Sequence, residues 1–334
     1  MITTPRWILL IFALLPFKTF GLGPVGPLPI SKFVEVKGVR LQYLDWGGRG
    51  GVLLFIPGGC DTPYVFGDVA PAFVDRFRVL GLTARGCGAS DRPDTGYDME
   101  TQISDLVGFM DALNIQTATL ASHSMGGGRI TQFARRHPQR VNKLIYFDTV
   151  YRYVAPRLEE IIGAAIERSV GGKSMDSVQL WERTSKKWEL GAWSPSMEQN
   201  LKEIVKILPD GRLQYRYPSP SGWRKEVTSD MEAGLYFDTR ISHPALMIFA
   251  MDTDRDRAKQ FDRATFQELQ PLIRQTEQKR REEIEAFRAN GPHVRIVEMR
   301  HTAHYCFVQK PNAVIRLMNV SAAGKGDHCR RYKW

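Results

Sequence analysis

The chain is short of several things that would have pointed to particular functions. Only four cysteines, Cys60, Cys87, Cys306 and Cys329, stand among its 334 residues, and no two form a C-x-x-C pair. His301 and His304 lie three apart with no further ligand at zinc spacing, so no metal site and no cofactor are expected. The net charge is +10, yet lysine and arginine are scattered and no basic stripe is interleaved with aromatics, which argues against a nucleic-acid partner. The apolar run Trp7 to Leu15 reaches less than half of the roughly 20 residues that cross a bilayer, so no lasting membrane span is expected. No internal repeat is visible.

What is present is ample apolar material: 43% of residues are hydrophobic and 25% charged, enough for one large core with or without a lid. Residues 1–21 combine a thin positive region, the apolar run and Thr19-Phe20-Gly21, the arrangement of a secretory signal. Export to a secreted or periplasmic location would put the cysteines in an oxidising compartment. Four cysteines allow three pairings; Cys60 and Cys87, each following an expected strand, are the pair to test first, against the alternative that all four are free.

Residues 22–150 read as the first part of a core. A hairpin is expected over Phe33 to Tyr43 about Lys37-Gly38, then apolar strands at Val52 to Ile56, Arg78 to Thr83, Thr117 to Ala121 and Lys143 to Phe147. Continuous apolar strands imply a sheet covered on both faces. Between them Asp98 can cap a helix whose Met99, Ile103, Leu106, Val107, Met110 and Leu113 share one face. The alternation breaks over 151–242, where helical stretches, Trp181, Trp188, Trp193 and Trp223, and loop signals suggest an inserted helical lid. It resumes over 243–322, interrupted by a charged helical insertion at 254–290, and a basic tail occupies 323–334. The insertion's expected buried face is Phe261, Phe266, Leu269, Leu272, Ile273, Ile284 and Phe287.

Ser122-His123-Ser124-Met125-Gly126 sits where the Thr117 strand turns into a glycine-rich helix start. The G-x-S-x-G pattern needs small flanking residues because the turn is tight, and its strained serine projects above the sheet edge. Ser122 replaces the first glycine. Taken with Pro57-Gly58-Gly59-Cys60-Asp61, with Arg85-Gly86-Cys87-Gly88-Ala89-Ser90-Asp91, and with His301-Thr302-Ala303-His304-Tyr305, the order and spacing resemble the α/β-hydrolase superfamily over about residues 33 to 320. The resemblance implies a mostly parallel, eight-stranded α/β sheet with helices on both faces.

It also implies roles. Ser124 would be the nucleophile and His304, five residues past the last strand, its base; His301 is the nearby rival, and His123 would help to shape the turn. Backbone N–H groups of Gly59 and Met125 would form the oxyanion hole, although Pro57-Gly58 stands where relatives often carry His-Gly. The acid is left open. Threonine occupies the usual place in Ala250-Met251-Asp252-Thr253-Asp254, so Asp148, Asp254 and Asp252 are weighed in that order. Arg85 is read as a structural donor. The expected activity is hydrolysis of a carboxylic ester or related acyl bond of a small, moderately hydrophobic substrate. The alternatives are an aminopeptidase, which could enlist Glu159 or Glu160, and a non-catalytic binding protein of the same fold. Oligomeric state is left open.

Overall fold

A computed structural model describes residues 27–149, 161, 193–209, 213–215, 221–251, 253–259, 261–290 and 293–322. The expected signal segment, the tail and much of the expected lid, including Trp181, Trp188, Glu159 and Glu160, lie outside the described residues.

Strands β1 (Ile30–Val36) and β2 (Val39–Gly47) form the hairpin, turning at Lys37 and Gly38, both in the left-handed region. Then come β3 (Gly51–Ile56), β4 (Phe77–Leu82), α1 (Met99–Ala112), β5 (Ala118–His123), α2 (Gly126–Arg136) and β6 (Val141–Phe147). The expected lid contributes α3 (Pro195–Ile204), a short antiparallel pair, β7 (Val205–Ile207) and β8 (Leu213–Tyr215), and α4 (Ser221–Glu232). Strand β9 (Ala245–Met251), α5 (Thr253–Ala258), α6 (Arg263–Asn290), β10 (Val294–Arg300), α7 (Cys306–Gln309) and α8 (Pro311–Ala322) complete the chain.

The main sheet has eight strands in the order β1-β2-β4-β3-β5-β6-β9-β10. Pairing is antiparallel at β1/β2 and β2/β4 and parallel from β4 through to β10. Parallel strands need crossovers, and helices supply them on both faces, so β5 and β9 are buried along their whole length. One apolar layer gathers Tyr43, Leu54, Leu120, Ile130, Phe133 and Met247, while the other gathers Trp46, Phe55, Phe66, Phe147, Ile248 and Phe307.

Helix α1 starts as the sequence predicts: the Asp98 carboxylate accepts the Thr101 N–H at 2.9 Å. Four of its six expected core residues are buried and Val107 and Leu113 partly so, with Phe109 added to them. The insertion's apolar face divides: Leu269 and Ile273 pack with Ala258, whereas Ile284 and Phe287 join the main core. Among the described residues no helix is long and apolar enough to cross a membrane.

Candidate active site

Because β3, β5, β6 and β9 run parallel, the loops that follow them all open at the same edge of the sheet. Ser124 follows β5 directly and has φ +51°, a left-handed conformation that is strained for a residue with a side chain. Three contacts hold it there. Its N–H donates to Phe147 O at 3.2 Å, its carbonyl accepts the Gly127 N–H at 2.9 Å, and the Thr149 hydroxyl also donates to that carbonyl.

The corner is crowded. A Cβ placed on Gly58 would lie 2.5 Å from the Ser124 Cβ, and one on Gly126 2.6 Å from Ile56 O, so neither position tolerates a side chain. Ser122, in the place of the usual first glycine, is fully buried with ordinary backbone geometry. Its hydroxyl makes no hydrogen bond among the described residues.

Asp148 lies one residue past the carbonyl that receives the Ser124 N–H. It too is left-handed, at φ +43°, and its N–H donates to Ile248 O at 2.7 Å. One carboxylate oxygen accepts the Ala250 N–H at 2.8 Å, and the other meets His304 Nδ1 at 2.6 Å. With Nδ1 held by a carboxylate, the imidazole carries its proton there and leaves Nε2 as the acceptor. Ser124, Asp148 and His304 are thus brought together from three loops at one sheet edge. Ser124 and His304 are not hydrogen bonded in this structure; such pairs commonly close only around a reacting group.

The other candidates fall elsewhere. His301 is largely exposed, and its Nδ1 meets Asp256 Oδ2 on α5 at 2.9 Å. The backbone of Asp254 belongs to α5, and Asp252 lies outside the described residues. Gly59 has φ +49°, which suits glycine, and Met125 immediately precedes α2, so its N–H belongs to the first turn, where backbone donors are unpaired.

Several supporting residues were not apparent from the sequence. Arg129, buried one turn into α2, donates to Pro57 O at 3.2 Å and to Gly59 O at 3.4 Å, and so grips the glycine loop. His123 does more than shape the turn. Its ring lies 4.3 Å from that of His304, and its Nε2 donates to His304 O at 3.2 Å, so it supports the base from below. Burial, and then the charge of His304, hold the His123 pKa well below 6.5, which keeps it neutral. Periodicity reveals neither contact, since each bridges residues more than 60 positions apart.

Cys60 and Cys87 form a disulfide with Cα atoms 5.1 Å apart, joining the glycine loop to the loop after β4. Cys306 is a buried free thiol, its pKa raised by burial and by nearby Asp148. Cys329 lies outside the described residues. Arg85 forms a two-pronged buried pair with Asp105, both contacts at 2.6 Å, as the structural donor expected of it. Among the described residues no group of three or more His, Cys, Asp or Glu could hold a metal ion.

Comparison with known proteins places this geometry in a known fold. A model of the α/β hydrolase fold matches residues 51–166, which begin at β3 and run past the serine corner, α2 and β6. The fold is that of the α/β hydrolases. It is similar to a non-heme chloroperoxidase of Streptomyces lividans, 34% identical over 116 residues, a match that covers 34% of this chain and 42% of that protein. This chain therefore spans less than half the length of that relative. The solved structure of E-2-(acetamidomethylene)succinate hydrolase superposes with a TM-score of 0.60 at 19% identity, covering 87% of this chain and 98% of the other. A carboxylesterase of Bacillus subtilis gives the same TM-score at 14% identity, with 90% and 93% covered. At these identities the structural matches speak for the α/β-hydrolase fold alone.

Proposed function

We propose that the protein is a serine hydrolase that cleaves a carboxylic ester or related acyl bond of a small, moderately hydrophobic substrate through an acyl-enzyme. The observation that carries this reading is the 2.6 Å contact between Asp148 and His304 beside a left-handed serine at a strand-to-helix corner.

In this reading His304 Nε2 takes the proton of Ser124 Oγ as that oxygen attacks the acyl carbon, and the carbonyl π electrons move onto oxygen. The N–H groups of Gly59 and Met125 receive the developing oxyanion, and the dipole of α2 favours it. Asp148 steadies the imidazolium. Collapse of the adduct expels the alcohol, which leaves with the proton held on His304. Water then repeats the sequence on the acyl-enzyme, giving the acid and restoring the serine. No metal or organic cofactor is needed for these steps.

A serine nucleophile speaks against epoxide hydrolysis and dehalogenation through an alkyl-enzyme ester, because both require a carboxylate in that place. Export is proposed with the activity, and the Cys60–Cys87 bridge favours it because such bonds persist in oxidising compartments.

A fluorophosphonate probe tests the reading directly. Wild type should label and Ser124→Ala should not; no labelling of wild type, or undiminished labelling of the variant, would overturn the assignment. p-Nitrophenyl esters of rising chain length, lactones and aminoacyl amides then separate esterase from aminopeptidase, and a protein that labels with none and turns over none is a binding module.

A further inference from the structure

Asp61 stands two residues beyond Gly59, and its N–H donates to Gly58 O at 3.0 Å, so the turn that carries the oxyanion-side backbone also carries this carboxylate. Oδ2 accepts the hydroxyl of Tyr305, the residue after His304, at 2.7 Å. Oδ1 accepts Asn200 Nδ2, from α3, at 2.9 Å. Asn200 is oriented from its other end, because its carbonyl oxygen takes both the N–H and the hydroxyl of Thr62 at 2.8 Å. The amide must therefore present NH₂ to Asp61.

Every one of these donors is neutral. Asp105 by contrast has Arg85, and Asp45 has Lys32 and Arg78, whereas Asp68, like Asp61, meets neutral donors, in its case serine hydroxyls. Among the described residues no lysine or arginine pairs with Asp61. Surrounding protein pushes its carboxyl above the ordinary value, while Tyr305, Asn200 and the charge of nearby His304 pull the other way. A desolvated carboxylate without a counter-cation is costly, and it is an unusual thing to place beside a reaction centre. The residue nevertheless stays partly accessible, and an ionised carboxylate offers about four acceptor positions. The contacts described occupy two of them.

We infer that Asp61 is a specificity-determining residue that receives a cationic hydrogen-bond donor of the substrate, a primary ammonium, close to the scissile acyl carbon. The inference rests on the serine-hydrolase reading and narrows its substrate class to acyl compounds bearing an amine. An anionic substrate would meet like charge at the same place, with a second acid, Asp148, behind His304.

The experiment compares two isosteric p-nitrophenyl esters at pH 7, that of 3-aminopropanoic acid and that of butanoic acid, which differ by an ammonium in place of a methyl. Wild type should prefer the ammonium ester by about tenfold or more in kcat/KM, and Asp61→Asn should bring that ratio to about one. Because the ratio is taken within each preparation, partial loss of folded protein cancels. For the case in which the variant fails to fold, butylammonium should slow fluorophosphonate labelling of wild type while butanol at equal concentration does not. A ratio of one in wild type, the same ratio in both proteins, or equal protection by the two additives overturns the inference while leaving the hydrolase reading intact. Failure of wild type to label overturns both.

Discussion

Asp148 serves two neighbours with one carboxylate: the Ala250 N–H fixes its plane, and His304 takes the oxygen that remains. An asparagine there could keep the shape, but it would present the wrong group to Nδ1 and favour the wrong imidazole tautomer. Asp148→Asn should therefore lower kcat by about 10⁴-fold with KM little changed, read by steady-state kinetics on whichever ester the screen selects. His123 sets a different dependence. It is neutral when folded because burial depresses its pKa, whereas the unfolded chain takes up a proton below about 6.5. Between those two values the unfolded state binds more protons, so His123's contribution to stability is present above pH 6.5 and is lost as pH falls. Urea midpoints should drop from pH 7 to pH 5, and His123→Asn should flatten that slope.

At the scale of elements, the loop between β3 and the first short helical turn is held from three sides. Arg129 reaches it from α2, the disulfide ties it to the loop after β4, and Asn200 docks α3 against Thr62 and Asp61. Cutting the bridge frees a loop of sequence separation 27, worth about 3.5 kcal/mol on the chain-entropy account of the unfolded state. Cys60→Ser should lower the guanidinium midpoint accordingly. Arg129→Met should act more selectively, lowering kcat at least about tenfold through misplaced oxyanion donors while the melting curve moves less. Helix α1 offers a control far from the chemistry. Asp98→Ala removes the cap and should cost about 1 kcal/mol of stability with kcat unchanged.

For the whole molecule, the parts of the fold that could be read from the chain are those written in local patterns. Continuous apolar runs marked β3, β4, β5, β6 and β9, helical spacing marked α1, and Lys37-Gly38 marked the hairpin, because each is a periodicity or a turn preference that neighbours in sequence decide. Ser124 and His304 were legible from motif order, and Asp148 from its place at a strand end. Asp148 already ranks ahead of Asp254 and Asp252 on the sequence, but its contact with His304 joins residues 156 positions apart and is written in no local pattern. The same holds for Arg129, Asn200 and the stacking of His123, which belong to surfaces formed only once the sheet has assembled. Asp61 was in view as the last residue of a motif, yet nothing local says that its carboxylate meets only neutral donors.

Strand β10 has a position that matters for warming. Among the described residues it closes one edge of the sheet and pairs with β9 alone, and it is buried along little of its length, whereas β5, which leads into the serine, is buried at every residue. Edge strands with few covered side chains open at lower free energy than the centre of a sheet. The loop that carries His304 hangs from that edge. Heat should therefore detach the base from an otherwise intact sheet, and inactivation should run several degrees ahead of the loss of circular dichroism.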